Sequence, residues 1–270
     1  MPTFATPDGT RLFYDDAVSG AAVLCLPGLT RNGRDFDHVA SHLDARLIRL
    51  DARGRGRSDH ADPATYTVPQ ETSDVLSLMD HLGLDRAAIL GTSRGGLVAM
   101  MLAATAKDRL TGVALNDIGP EVAEAGLAKI RDYVGTPPPY RTLAAAARAR
   151  AATWTGFCDV PPSRWLAEVR NHYAEGPDGL TLRYDPRLRG AVATDAPMPD
   201  LWPLFDALAG LPLALIRGVN SDILTERTAD EMARRRPDMI RAEVPGRGHV
   251  PFLDEPQALA ALHDWLDRVG

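Results

Sequence analysis

Short apolar runs alternate with amphipathic segments along most of the chain. Nearly continuous apolar runs occur at residues 21–28, 45–51, 86–92, 110–117 and 211–218, with a weaker one at 240–246. Such runs are typical of strands buried on both faces. Helical spacing of apolar residues occurs at Val75, Leu76, Met79 and Leu82, and again at Leu259, Leu262, Leu266 and Val269. Strands that alternate with helices predict an α/β fold with a mostly parallel sheet.

The alternation stops between about residues 119 and 205. This segment contains Trp154, Trp165 and Trp202, together with proline-rich turns and an alanine- and arginine-rich helical stretch. Tryptophan-bearing amphipathic segments bury surface, so a flexible linker is disfavoured. We therefore expect a core formed by residues 1–119 and 206–270, with a mainly helical cap inserted at 120–205.

Composition and charge narrow the classes of function. The chain has 270 residues and a formal net charge of −6, which argues against a nucleic-acid partner. No apolar stretch is long enough to span a bilayer, and the first residues lack the pattern of a signal peptide, so we expect a cytoplasmic protein without membrane contact. Cys25 and Cys158 lie far apart, which indicates neither a disulfide framework nor a metal site, and we expect both to be small buried residues.

A glycine-flanked serine follows the third of the long apolar runs. Residues 91–95 read Gly-Thr-Ser-Arg-Gly, which fits the motif G-x-S-x-G between a predicted strand and a predicted helix. A sharp turn of this kind holds the serine in a strained conformation, and the glycines leave room where a Cβ would clash. Ser93 at the positive end of a helix is thus a candidate nucleophile, which needs a base to remove its proton.

The base and the acid are expected later in the chain. His249 lies on a glycine-rich stretch between the last predicted strand and helix, whereas the other histidines lie in polar or helical contexts. Asp222 follows the preceding strand and is the expected acid, although it could instead cap the next helix. Asp117, after the strand that follows the serine, is the alternative. The order Ser93, Asp222, His249 is that of the α/β-hydrolase arrangement.

Stabilisation of a tetrahedral intermediate requires two backbone N–H donors. We expect one from Arg94, directly after the nucleophile, and one from Leu29, just after Gly28 and the first long strand. Gly28 would also let the backbone approach the substrate.

Together these motifs resemble the α/β-hydrolase fold superfamily over essentially the full length. The matching stretches are residues 27–29, 50–59, 91–96, 116–120, 218–222 and 246–252. The resemblance implies an eight-stranded, mostly parallel sheet flanked by helices, a cap inserted after the sixth strand, and kinship with small bacterial ester, enol-lactone and carbon–carbon bond hydrolases. Two departures are Pro27, where the family often has histidine, and Arg94, where it often has Met, Leu or Gln.

Several residues allow both a functional and a structural interpretation. Arg94 could hold a substrate carboxylate, helped by Arg148 or Arg183, but pairing with a protein carboxylate is slightly favoured. Trp154 and Trp202 are candidate pocket residues, although tryptophans of a cap more often simply pack on the core; such packing would still line an apolar pocket over Ser93. The run at 52–58 is expected to form a structural turn with solvated Arg55 and Arg57.

The sequence thus predicts a metal- and cofactor-independent serine hydrolase acting on a small carboxylic ester or lactone. A carbon–carbon bond hydrolase of dienone-type substrates would keep the same triad, and a cofactor-free oxygenase or perhydrolase would use the same scaffold. The alternative from another class is a small-ligand binding protein with a vestigial triad. The sequence pattern does not indicate the oligomeric state.

Overall fold

An eight-stranded sheet forms the centre of the computed structural model, which describes residues 2–16, 19–192 and 199–269. The strands in these ranges are β1 (Thr3–Ala5), β2 (Arg11–Asp16), β3 (Ala22–Leu26), β4 (Arg46–Leu50), β5 (Ala87–Thr92), β6 (Leu110–Asn116), β7 (Tyr173–Gly176), β8 (Gly179–Leu182), β9 (Leu213–Gly218) and β10 (Ile240–Val244). The central order is β1-β2-β4-β3-β5-β6-β9-β10. Only the pairings β1–β2 and β2–β4 of this sheet are antiparallel, so the predicted mostly parallel sheet is confirmed.

Helices cover both faces of the sheet. They are α1 (Asp37–Ala40), α2 (Val68–His81), α3 (Arg94–Thr105), α4 (Glu124–Tyr133), α5 (Leu143–Thr153), α6 (Pro162–His172), α7 (Trp202–Asp206), α8 (Glu226–Arg235) and α9 (Pro256–Val269). Side-chain caps explain where several begin: Thr67 accepts a hydrogen bond from the Gln70 N–H at the start of α2, and Thr225 accepts one from the Thr228 N–H at the start of α8. Among the described helices, none has the length and apolar character to cross a membrane.

Alternate residues of each central strand enter two separate apolar cores. On β5, Ile89 packs into the core shared with α2, α3 and α8, whereas Leu90 packs into the core shared with α1 and α9. Cys25 belongs to the second core, where burial raises the pKa of its thiol to about 12. Cys158, in contrast, is exposed, so the expectation that both cysteines are buried is wrong for Cys158.

The chain between β6 and β9 contains α4 to α7 and the antiparallel pair β7–β8. Part of it has its own apolar cluster, which includes Trp165, Val169 and Leu180. The predicted end of the cap, at residue 205, lies inside α7, and Phe205 packs into the apolar core beside α3. Residues 193–198 of the predicted cap lie outside the described ranges. The division into core and cap therefore stays a prediction.

Candidate active site

Ser93 lies in a tight turn between β5 and α3. Its backbone has φ 50° and ψ −116°, a conformation that non-glycine residues seldom adopt. A Cβ on Gly95 would lie 2.0 Å from the carbonyl oxygen of Leu26, and one on Gly91 would lie 2.6 Å from the carbonyl oxygen of Gly95. The expected strained turn is thus observed, and both glycines are required by close backbone approach.

The imidazole of His249 contacts Ser93 on one side and Asp117 on the other. His249 lies on the loop between β10 and α9, with Nε2 at 2.9 Å from Ser93 Oγ and Nδ1 at 2.7 Å from Asp117 Oδ2. The Asp117 carboxylate favours the tautomer in which Nδ1–H is the donor, which leaves Nε2 to accept from the serine hydroxyl. A base is therefore within reach of the candidate nucleophile.

The carboxylate of Asp117 is fully buried and held by three donors. Asp117 directly follows β6, and its side chain is 0% exposed. Besides His249, it accepts hydrogen bonds from the N–H of Gly218 over 2.8 Å and from the hydroxyl of Ser221 over 2.6 Å. These bonds fix the carboxylate against the imidazole, as an orienting acid requires.

Asp222 does not lie against His249. Its carboxylate pairs with Lys129 of α4 over 2.6 Å and is 36% exposed. The prediction that Asp222 is the acid partner of His249 is therefore wrong, and the alternative, Asp117, has that place. The reason is that β6 and β9 are neighbours in the sheet, so acids after either strand end near the histidine, and the β9 loop turns Ser221 towards Asp117 instead.

Gly28 and Leu29 line the space in front of Ser93. A Cβ on Gly28 would lie 3.6 Å from the Cβ of Ser93, so this backbone passes close to the nucleophile. Arg94 begins α3, and its backbone follows the nucleophile directly. Both predicted oxyanion donors thus belong to segments that adjoin Ser93, and their role in catalysis stays a prediction.

The side chain of Arg94 points to a protein carboxylate. Its Nε donates to Glu71 over 2.7 Å and its Nη2 donates to the carbonyl oxygen of Tyr66 over 2.9 Å. Arg94 does not appear among the described residues that line the cavity in front of Ser93. These contacts support the structural interpretation of Arg94 and do not support a role in binding a substrate carboxylate.

Arg55 is buried, contrary to the expectation that it is solvated. The residue is 2% exposed, its Nη1 lies 2.8 Å from Glu71 Oε1, and its Nε donates to the carbonyl oxygen of Leu29. Arg57 has a 43% exposed side chain that lies over the ring of Phe13. The turn at 52–58 is therefore structural. Of the two arginines expected in solvent, only Arg57 is exposed, so the expectation is wrong for Arg55.

A cavity of about 260 Å³ opens in front of the candidate catalytic residues Ser93 and His249. We call it the catalytic lobe and define it by Gly28, Ser93, Ile130, Trp154, Phe157 and His249. Its walls combine apolar side chains with a few polar groups, as small-molecule sites usually do. Trp154 lines the lobe as expected, whereas Trp202 does not: its indole N–H donates to Glu121 and its ring lies under Arg235.

A cluster of charged side chains that the sequence did not indicate lies beside this lobe. The ligand atoms of Asp35, Glu168 and His172 lie within 4.8 Å of one another, a spacing that could suit a metal ion. Arg31 forms ion pairs with both carboxylates. Its guanidinium supplies the positive charge that a metal would bring and, with His172, holds the pKa of Asp35 below its ordinary value despite burial.

A match to a protein-family model assigns the chain to a family. The model described as the alpha/beta hydrolase family matches residues 23–262. The chain belongs to the alpha/beta hydrolase family. It is 36% identical over 262 residues to a 3-hydroxybutyrate-oligomer hydrolase of Cupriavidus necator, covering 92% of this chain and 88% of that protein.

Two further comparisons agree with the assignment. An esterase of Mycobacterium tuberculosis is 25% identical over 264 residues, covering 90% of this chain and 82% of that one. The crystal structure of an alpha/beta hydrolase from Novosphingobium aromaticivorans superposes with a TM-score of 0.90 at 40% identity, covering 99% of this chain and 97% of that chain. The chain is accordingly a hydrolase of the α/β fold.

Proposed function

We propose that this hydrolase cleaves a small carboxylic ester or lactone through an acyl-enzyme on Ser93. The observation that carries the proposal is the continuous contact from Ser93 through His249 to Asp117. The similarity to an esterase of Mycobacterium tuberculosis and to a 3-hydroxybutyrate-oligomer hydrolase of Cupriavidus necator also supports this reaction class.

Each group has a defined task in this reaction. Ser93 Oγ attacks the carbonyl carbon while Nε2 of His249 takes its proton, and the same nitrogen then delivers that proton to the leaving alkoxide. Asp117 orients the imidazole and stabilises its protonated form. The backbone N–H groups of Leu29 and Arg94 stabilise the tetrahedral oxyanion. A water molecule activated by His249 then releases the acid from Ser93.

A serine-directed fluorophosphonate tests the nucleophile. We expect intact-protein mass to show one adduct, peptide mapping to place it on Ser93, and His249→Ala to abolish or strongly slow the labelling. Asp222→Asn, which changes an acid outside the contact with His249, is the matched control and should label like the parent. If the folded protein takes no adduct, or takes one elsewhere, the proposed nucleophile is wrong.

A substrate panel then separates the reaction classes. We expect turnover of soluble esters and short hydroxy-acid oligoesters, or of lactones, and loss of that turnover in Ser93→Ala. Cleavage of dienone-type substrates without ester turnover would instead support a carbon–carbon bond hydrolase, and oxygen uptake would support an oxygenase. Ligand binding that survives in Ser93→Ala without any turnover would favour the non-enzyme alternative.

A further inference from the structure

A second cavity of about 310 Å³ adjoins the catalytic lobe. We call it the second lobe and define it by Pro137, Tyr140, Ala146, Arg150, His172 and Tyr184. The two lobes have Thr30, Arg31, Tyr133, Thr153 and Trp154 in common. A substrate whose reacting carbonyl lies at Ser93 could therefore extend past Trp154 into the second lobe.

Arg150 presents its guanidinium to this second lobe from α5. Its Nη1 lies 2.7 Å from Nδ1 of His172, and its Nη2 donates to the hydroxyl of Tyr173 over 3.2 Å. The guanidinium carbon also lies 4.6 Å from the ring centroid of Trp154. This cation–π contact and the two hydrogen bonds hold the group in place. Guanidinium has five N–H donors, so it keeps donors for a further acceptor.

The protein groups around Arg150 leave its charge uncompensated. His172 accepts from Arg150 at Nδ1 and contacts Asp35 with Nε2 over 3.3 Å, an arrangement that requires the neutral imidazole. Burial, and then the positive charge of Arg31, lower the pKa of His172 and so favour that neutral form. The nearest partner of Arg150 is therefore a neutral acceptor, and within the described ranges Arg150 forms no ion pair with a carboxylate.

The environments of Arg31 and Asp132, the other charged residues that line the second lobe, differ from that of Arg150. Arg31 is compensated by Asp35 and Glu168. Asp132, on α4, is exposed to solvent. Arg150 is thus the half-buried cation of this lobe with free capacity for an anionic group.

We propose that Arg150 binds the carboxylate of an ester substrate that carries a free acid group, such as an ester of a hydroxy acid or a short linear oligoester with an acid end. This inference rests on the proposed function and names its substrate class. A carboxylate matches the planar donor geometry of guanidinium, and the lobes separate it from the ester that reacts at Ser93.

Matched substrates that differ only in charge test the proposal. One pair is the acetate ester of hydroxyhexanoate and that of hydroxyhexanamide, with the charge on the alcohol side. The other is the mono-nitrophenyl ester of suberic acid and its monoamide, with the charge on the acyl side. We expect the parent protein to favour the acid of at least one pair in kcat/KM. We expect Arg150→Met to lower kcat/KM for that acid by about tenfold or more, mainly through KM, with a much smaller loss on the amide.

Arg148→Met is the control on the same helix. Arg148 is exposed and lies outside the lining of both lobes, so removing its charge should leave the acid-to-amide ratio as in the parent. Arg150→Lys keeps the charge but not the planar donor pair, and should restore part of the preference. An equal loss on acid and amide in Arg150→Met would overturn the proposal, and so would a loss of acid preference in Arg148→Met as large as that in Arg150→Met.

The two proposals fail in distinguishable ways. If the parent hydrolyses neutral esters but shows no preference for the acid of either pair, the carboxylate site is wrong and the ester hydrolase stands. If no ester is turned over, calorimetric titration of Ser93→Ala with hydroxyhexanoate and with hydroxyhexanamide tests the site without activity. Tighter binding of the acid that is lost in Arg150→Met would support it, and equal binding would overturn it. Because the parent ratio needs no variant, misfolding of Arg150→Met would not remove the test.

Discussion

Arg55 donates a hydrogen bond from Nε to the carbonyl oxygen of Leu29 over 2.8 Å. The same guanidinium pairs with Glu71, whose other carboxylate oxygen accepts from Arg94. Burial opposes the charge on Glu71, but Arg55 and Arg94 outweigh it and lower the pKa of this carboxyl. One buried ionic network therefore holds both segments from which the oxyanion donors are expected.

Replacing Arg55 should affect the transition state more than substrate binding. Arg55→Lys keeps a positive charge near Glu71 but loses the Nε–H that holds the Leu29 carbonyl. We expect kcat on a neutral ester to fall by about tenfold or more while KM changes by less than about threefold, because a misplaced donor stabilises the oxyanion poorly. Steady-state kinetics with Arg57→Lys as the neighbouring control checks this. A change confined to KM would argue against a positioning role.

Arg94 and Arg150 should differ in how they discriminate charged substrates. Arg94→Met removes a side chain that contacts Glu71 and Tyr66 rather than the cavity. We expect equal effects on acid and amide substrates, together with a loss of about 3 kcal/mol of stability from breaking a buried ion pair. Denaturant unfolding and the substrate pairs described above measure both quantities. A selective loss on acids would restore Arg94 as a substrate-binding residue.

The acid of the proposed triad can be assigned by two amide substitutions. Asp117→Asn should lower kcat by about 10³-fold to 10⁴-fold, because an amide no longer stabilises the imidazolium or the required tautomer of His249. Asp222→Asn breaks the pair with Lys129 and should change kcat by less than about tenfold. Both variants need melting curves to confirm that they fold. A larger effect at Asp222 than at Asp117 would contradict the assignment.

The sequence predicts those parts of the candidate site that depend on neighbouring residues in the chain. The turn at Ser93 depends on glycines two positions away on each side, and the sequence shows them directly. The acid depends on side-chain direction after two neighbouring strands, and Asp117 itself has φ 55°, which no pattern of residue types indicates. The sequence therefore favours Asp222 over Asp117 as the acid, and it gives no sign of Ser221, which hydrogen-bonds to the Asp117 carboxylate.

Long-range pairing also explains the errors elsewhere. The sequence predicts an exposed Arg55, because charged residues in a glycine-rich turn usually lie in solvent. In the structure, Glu71 on α2 provides a buried partner for its charge. The sequence predicts Trp202 as a pocket residue together with Trp154, but α7 lies against α3 instead. The positions of the core strands and of several helices are predictable because apolar periodicity is a local signal, whereas these long-range contacts are not.

The stability of the folded protein should decrease as the pH is lowered, and part of this decrease should come from His172. Burial and the positive charge of Arg31 lower the pKa of His172 in the folded protein below its ordinary value of about 6.5, so the unfolded chain binds the proton first as pH decreases. The free energy of unfolding should therefore fall below about pH 6.5, by at most about 1.4 kcal/mol per pH unit. In His172→Gln, which can still contact Arg150 and Asp35, this slope should shrink. Urea unfolding between pH 5 and pH 8 measures it; a pH-independent difference between the two proteins would rule out this origin.

The glycine after Arg94 should tolerate no side chain. A Cβ at Gly95 would lie 2.0 Å from the carbonyl oxygen of Leu26 and 2.6 Å from its carbonyl carbon, and backbone of a central strand cannot move away cheaply. We expect Gly95→Ala to cost about 3 kcal/mol or more, or to prevent folding, because α3 must shift from β3 and take Ser93 with it. Gly190→Ala is the matched control, since a Cβ there meets nothing within 4 Å and the backbone is not in the left-handed region. We expect the control to stay within about 0.5 kcal/mol of the parent in denaturant unfolding. If Gly95→Ala were as stable and as reactive towards the fluorophosphonate as the control, the close packing of α3 against β3 would not be what holds the nucleophile in place.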